Sequence, residues 1–246
     1  MRDLGDWYGS HFDIVRVDTP ELLDQAYRLR YQVYCLEHAF ENEAEHGDGR
    51  ETDVDDDRSV HALLRHRRTG HYAGTVRVIL PSPGEPHRLM PIERILGSES
   101  EGAAEWFPRS TTAEISRFLV SKEFRRRRGE ERYADVGWDA DAAGISGEQR
   151  LLPYITFGLI RGVLEICAEY GVTHICAVME PALIRILCRF GLDFQKIGNL
   201  VDHHGMRQPC VARLQDLVEG NRAHDTLLWR YTKGAVKTSK GATGIA

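Results

Sequence analysis

The chain has 246 residues, 42% of them hydrophobic and 28% charged, with a formal net charge of −5. That length and composition suit one large globular domain or two small ones, and the mild acidity lacks the basic footprint of a nucleic-acid binder. The most apolar run, LLPYITFGLIRGVLEIC (151–167), carries Arg161 and Glu165 and falls short of the roughly 18 uncharged residues that a membrane span needs, so no integral membrane segment is expected.

The opening residues lack the apolar core of a signal peptide. The five cysteines, Cys35, Cys167, Cys176, Cys188 and Cys210, form no CxxC pair, and four lie in apolar stretches as buried thiols do. Together these features predict a reducing, cytoplasmic setting.

In chain order, FDIVRV (12–17) predicts a first strand. Thr19, Pro20 and Glu21 then give an N-cap, a first-turn proline and a first-turn acid, opening a helix over 19–37 whose apolar face holds Leu22, Leu23, Ala26, Leu29, Val33 and Leu36. The acidic stretch 41–59 has almost no apolar residues and is expected to be a solvated, mobile loop. Residues 60–81 predict a hairpin turning near Thr69–Gly70. A long Pro-, Gly- and Ser-rich connection over 81–112 leads to a strand over 113–120. A basic segment, SKEFRRRRGEERY, and a Gly/Asp-rich loop (135–149) follow.

The second half alternates more plainly: a helix over 151–171 closed by Gly171, a strand over 172–179, a helix over 180–191 closed by Gly191, and a strand over 192–198. Strand–helix–strand alternation predicts an α/β sheet. Without an internal repeat, a single domain over 1–231 is expected, with a flexible tail over 232–246.

The strand AEISRFLV (113–120) carries the main anomaly, because Glu114 and Arg117 sit among residues that belong in a core. Ile115 and Phe118 are three apart, which breaks the strand period of two. A β-bulge at Ser116–Arg117 would restore the period and free backbone N–H groups able to polarise a carbonyl; a salt-bridged pair at a strand end is the plainer alternative.

Arg30 and Tyr34 are one helical turn apart, either a site or a surface arginine over an aromatic ring. Asp53 and Asp56 lie in a run without the spacing of a calcium loop, and Arg77 is either a site residue or an exposed strand arginine. His203 and His204, adjacent in DHHGMRQPC, are expected to diverge as strand neighbours and to form no zinc site, and no metal is expected elsewhere.

The segments RLRYQVYCLEHAF, ETDVDD, AGTVRVILP and EISRFLV occur in the order and approximate spacing of the acyl-homoserine-lactone synthases, and EPALIRILCRFGLDF resembles the closing helix–strand of GNAT domains. The chain therefore resembles the autoinducer synthases and the related N-acyl amino acid synthases. The motifs look closest to acyltransferases associated with PEP-CTERM/exosortase systems. This resemblance implies a single GNAT-like α/β domain with a central mixed, mostly antiparallel twisted sheet and helices on both faces. It implies an N-acyltransferase that moves a fatty acyl group from acyl carrier protein or acyl-CoA, as a substrate and not a bound cofactor, to the α-amine of an amino acid or related small amine.

The resemblance also implies roles. Arg30, Tyr34 and Phe40 correspond to an acceptor-site Arg, Phe and Trp; Tyr34 and Phe40 depart from that pattern. Asp53 and Asp56 correspond to an acidic pair that holds the acceptor ammonium, and Arg77 to a binding or structural arginine. Glu114, Ser116, Arg117 and Phe118 correspond to the E-x-S-R-F strand along the acyl-donor cleft, with Glu114 the base. Arg126 and Gly129 fit half of the GNAT pyrophosphate loop, but Glu131 replaces its last small residue. Arg125, Arg126, Arg127 and Arg128 are instead expected to dock the acidic carrier protein. Two other readings stay open: lactone synthesis from S-adenosylmethionine, and a non-catalytic domain that binds acyl chains or carrier protein.

Overall fold

The computed structural model describes residues 4–82, 84–85, 87–97, 107–125, 152–224, 228 and 232. The loop expected over 135–149, the arginines Arg126 to Arg128 with Gly129, and residues 233–246 of the expected tail lie outside the described residues. Thr232, first in that tail, is buried, and its hydroxyl donates to the Leu228 carbonyl at 2.9 Å.

The elements in chain order are α1 (Leu4–His11), β1 (Phe12–Arg16), α2 (Pro20–Tyr31), β2 (Ser59–His66), β3 (Tyr72–Ile79), α3 (Pro91–Leu96), β4 (Thr112–Val120), α4 (Lys122–Arg125), α5 (Leu152–Glu169), β5 (His174–Met179), α6 (Pro181–Cys188), β6 (Gln195–Lys196), β7 (Val201–Asp202), β8 (Met206–Arg213) and α7 (Leu214–Ala223). The strands form one sheet in the order β1-β2-β3-β4-β5-β8-β6, with β7 paired to β8. The expected α/β class with a mixed, mostly antiparallel sheet is the one observed: β4 and β5 run parallel, whereas β1–β2, β5–β8, β6–β8 and β7–β8 are antiparallel. Backbone contacts gather the chain into two units, one of residues 1–53, 61–76 and 117–162, the other of 54–60, 77–116 and 163–246.

In the first unit, the Thr19 hydroxyl accepts the Leu22 N–H and Pro20 starts α2, as the sequence predicts. The expected helix does not continue unchanged to residue 37. Beyond Tyr31 the chain widens into a π-helical turn over Gln32–Glu37. One extra residue per turn rotates the apolar face, so Val33 and Cys35 are buried while Leu36, expected inside, is 55% exposed. Ala26, Leu29 and Val33 pack with Leu63 and Leu119 as the core, flanked by Val15, Val17, Leu22, Tyr34 and Tyr72. β1 pairs with β2 from Phe12 opposite His66 to Arg16 opposite Ala62, and the hairpin turns at Gly70 (φ 74°).

In the second unit, β5 is the spine, pairing with β8 from His174–Arg213 to Met179–Gln208. Met90, Ile92, Leu96, Phe107, Cys176, Ile197 and Val211 form its core. The connection over 81–112, expected as one long loop, contains α3. Pro91 stands at its first turn, and the Glu93 carboxylate reaches back to accept the Met90 N–H at 2.8 Å. The strand expected over 192–198 shrinks to Gln195–Lys196.

Within the first unit, the start of α5 packs closely on β1 and β2 at Gly158. The Tyr8 phenol donates to the Ile155 carbonyl at 2.9 Å and accepts the Gly158 N–H at 3.0 Å, so its oxygen occupies the space a side chain would take. A Cβ at 158 would fall 2.6 Å from Leu64 Cδ1 and closer still to the Tyr8 oxygen. Gly158→Ala should therefore lower stability by about 1–3 kcal/mol despite the better helix propensity of alanine. Gly9→Ala in α1, where an added Cβ meets nothing within 4 Å, should be neutral or stabilising. Thermal unfolding of the two variants beside the parent checks the contrast; equal melting temperatures would refute it.

Candidate active site

α2 sets up the first cluster. Ala26, Leu29 and Val33 face the core, and Arg30, four residues after Ala26, shares that buried face with its side chain fully enclosed. Its Nε donates to Glu51 Oε2 at 2.5 Å, and its guanidinium lies 5.2 Å from the Tyr27 ring. The alternative of a surface arginine is thereby excluded. Glu51 also meets Arg117: Nη2 donates to Oε1 at 2.7 Å, and Nε to Oε2 at 3.1 Å. Burial pushes the Glu51 carboxyl up, but the hydrogen bond and charge of Arg117, joined by those of Arg30, outweigh it and hold the carboxyl at about 2. Burial likewise opposes the Arg117 charge, and Glu51 more than compensates, so Arg117 stays protonated.

Arg117 has a backbone φ of 48°, in the left-handed region, within β4. The sequence predicts an irregularity at this point; for a side-chain-bearing residue such a conformation costs on the order of 1–2 kcal/mol. Its Nη2 also lies 3.2 Å from Asp53 Oδ2 and 3.7 Å from Glu41 Oε1, and its guanidinium stacks 4.9 Å from the Tyr34 ring. Tyr34 meets Phe40 edge-on at 5.8 Å, and His38 stacks on Phe40 at 4.9 Å. The cluster thus holds two guanidinium groups, three carboxylates and an aromatic wall. Asp53 and Glu41, at 29% and 28% exposure, are its half-open members.

The second unit has its own cluster. Glu114 is fully buried on β4, opposite Cys176 of β5, and its Oε2 accepts the Ile92 N–H of α3 at 2.9 Å. Burial pushes its carboxyl up to about 8, against the Ile92 N–H and the Arg77 charge. The Cys176 thiol is raised by the same burial and by Glu114. β4 and β5 pair only over Thr112–Glu114 against His174–Cys176, although β5 continues to Met179. The two strands therefore part company at Glu114.

Arg77, which sequence alone left open as an exposed strand arginine, is 1% exposed. Its Nε donates to Ser116 Oγ at 2.8 Å and its Nη1 to Asp56 Oδ1 at 2.9 Å. Asp55 is as buried, taking Arg58 at 2.7 Å and also Arg94, while Asp57 accepts Arg88 at 2.5 Å. The acidic stretch expected to be solvated is thus a tied-down segment in which Glu51 and Asp55 are at most 2% exposed.

The structure therefore gathers Arg30, Tyr34, Phe40, Asp53 and Arg117 in the first unit, and Asp56, Arg77, Glu114 and Ser116 in the second. Phe118 is a half-buried residue of β4. Arg125 ends α4, while Arg126 to Arg128 lie outside the described residues. Sequence reasoning missed Glu51 and Glu41. The available signal was Arg30 itself: an arginine on the apolar face of a helix requires a buried anion.

The two histidines do not diverge. Residues 203–205 form a turn, not a strand, with the His203 N–H donating to the Gly205 carbonyl at 3.0 Å and the two rings 4.5 Å apart. Among the described residues no group of three or more His, Cys, Asp or Glu is placed to hold a metal, and no helix is long and apolar enough to cross a membrane.

Residues 29–134 match the family model of the acetyltransferase (GNAT) domain. No curated protein matches the chain. Among solved structures the fold is shared with TofI in a ternary complex with an inhibitor and MTA, 16% identical with a TM-score of 0.57, covering 86% of this chain and 96% of that one. It is shared with FeeM, an N-acyl amino acid synthase from uncultured soil microbes, at 14% identity and a TM-score of 0.54, covering 87% and 96%. It is also shared with BjaI, a CoA-dependent acyl-homoserine lactone synthase with SAM and isopentyl-CoA, at 19% identity and a TM-score of 0.54, covering 87% and 89%. The chain thus carries a GNAT-like fold that these synthases share at low identity.

Proposed function

We propose that the protein is an N-acyltransferase that moves a fatty acyl group from acyl carrier protein, or from acyl-CoA, to the α-amine of an amino acid or related small amine. The observation that carries this reading is the parting of β4 from β5 at Glu114, a buried carboxyl held near the pKa of an amine. Among the described residues the β4–β5 ladder ends there while β5 runs on to Met179, an opening that suits an extended, amide-bearing donor arm. BjaI is a CoA-dependent acyl-homoserine lactone synthase and FeeM an N-acyl amino acid synthase, which supports the same reaction class. The resemblance to PEP-CTERM/exosortase-associated acyltransferases extends the proposal to that cellular setting.

The chemistry is aminolysis of a thioester. The amine nitrogen attacks the thioester carbonyl carbon, the C–N bond forms, the C–S bond breaks, and the thiol leaves with a proton. An α-ammonium with a pKa near 8 must first lose its proton, and a carboxyl with a pKa of about 8 is matched to receiving it. Glu114 acts as that base, directly or through water. Backbone N–H groups at the Arg117 irregularity would polarise the carbonyl oxygen. In the first unit, Asp53 with the Tyr34 and Phe40 rings would hold the acceptor. Arg77 keeps Ser116 and Asp56 in place, and Arg125 to Arg128 would meet the acidic carrier protein.

Incubating the purified protein with acyl carrier protein or CoA thioesters and an amine panel, followed by mass spectrometry, tests the reading. An N-acyl amide product supports it, a lactone formed from S-adenosylmethionine redirects it to lactone synthesis, and tight carrier-protein binding without turnover leaves a binding domain. Glu114→Gln should cut kcat/KM by roughly 10²–10⁴-fold while the protein stays folded; full activity in that variant would remove Glu114 from the mechanism. A base works when ionised, so kcat at saturating acceptor should rise with pH through about 8 and level off above it. A flat parent profile between pH 6 and 9 would contradict this assignment.

A further inference from the structure

We propose that Glu51 is the positioning residue for Arg117 in acyl transfer, and that Arg30 braces Glu51 without touching the acceptor. The inference rests on the N-acyltransferase reading for its kinetic consequence and on geometry for its structural one. The Arg30 side chain has no exposed surface, and Glu51 has 2%. Neither can meet a ligand directly, so whatever they contribute passes through a neighbour. The neighbour is Arg117, whose Nε and Nη2 both donate to Glu51 while its side chain stays 13% exposed.

Arg117 in turn holds the half-open Asp53 and lies over the Tyr34 ring. The order of contact is therefore Arg30, Glu51, Arg117, then the acceptor-side groups. One carboxylate, using both oxygens, fixes the plane of the Arg117 guanidinium. It does so at a residue whose backbone φ of 48° would otherwise relax. Arg30 supplies the second positive charge that keeps this buried carboxylate ionised. This role differs from the direct acceptor contact that the family resemblance implies for Arg30.

Removing Glu51 alone would leave two enclosed guanidiniums and risk unfolding. The test therefore uses the double variant Arg30→Met/Glu51→Met in the full chain, which removes the two fully enclosed charges together, leaves Arg117 beside Asp53 and Glu41, and is expected to fold. Two measurements are made on it and on the parent. The first is water exchange of the Arg117 Nε–H by nitrogen-15 NMR, assigned from the missing resonance of Arg117→Lys. The second is the set of steady-state constants with acyl donor and amine.

We expect at least tenfold faster Nε–H exchange and an acceptor KM raised about tenfold, with the donor KM within twofold of the parent. Restoring the ion pair with Asp in the Arg30, Glu51→Asp variant should recover part of both effects. A folded double variant with parental exchange and parental acceptor KM would overturn the proposal. If the parent transfers no acyl group to any amine, the functional reading fails, while the exchange rates still decide whether Glu51 positions Arg117.

Discussion

Two guanidinium groups, those of Arg30 and Arg117, share one buried carboxylate, that of Glu51, and much of the first unit is arranged around this junction. A buried ion pair is costly to assemble and more costly to break, because loss of one member strands the others away from water. Here it holds together pieces distant in sequence: the second half of α2, the segment leading to Asp53, and the far half of β4. It also accounts for the conformation of Arg117. A left-handed residue in a strand is unfavourable by itself, and the bidentate contact to Glu51 selects the conformation that aims the guanidinium at that carboxylate.

In the second unit the same physics has the opposite outcome. Glu114 is as buried as Glu51, but it has a backbone N–H within hydrogen-bond distance where Glu51 has two guanidiniums. Desolvation therefore dominates, and its carboxyl rises to about 8 where the other falls to about 2. Their surroundings thus shift the two carboxyls in opposite directions. Carboxyls pushed apart by their surroundings in this way divide into a permanently charged structural group and a group able to take and release a proton. Under the proposed reaction, Glu114 is the group for chemistry and Glu51 the group for support.

The features legible in the sequence were those that depend on local periodicity and caps. Thr19 and Pro20 announced α2, Thr69–Gly70 the hairpin turn, Gly171 the end of α5, and the broken alternation at Ile115–Phe118 the irregular backbone at Arg117. What stayed hidden depends on non-local pairing or on small departures from regularity. A π-helical turn adds one residue without changing composition, so the exposure of Leu36 contradicts a helical count that is otherwise correct. α3 has six residues inside a Pro- and Gly-rich stretch, and its N-terminus is satisfied partly by Glu114, which arrives from 22 residues away. Burial of Arg77 was unreadable because its partners Asp56 and Ser116 are 21 and 39 residues distant.

The segment ETDVDDDR shows why an acidic run need not be a solvated one. Glu51 pairs with Arg30 and Arg117, Asp53 with Arg117, Asp55 with Arg58 and Arg94, Asp56 with Arg77, and Asp57 with Arg88. Each acidic side chain is matched to an arginine, so the local excess of negative charge in the sequence is a set of pairing positions for cations placed elsewhere in the chain. These pairs are not equivalent. Surface ion pairs contribute little, whereas enclosed ones cannot lose a partner cheaply, and side-chain exposure runs from 2% at Glu51 through 7% at Asp56 to 61% at Asp57. The enclosed carboxylates are committed to holding arginines. Asp53, paired but 29% exposed, combines a fixed position with access to solvent. Under the proposed reaction, that combination suits Asp53 to an acceptor ammonium.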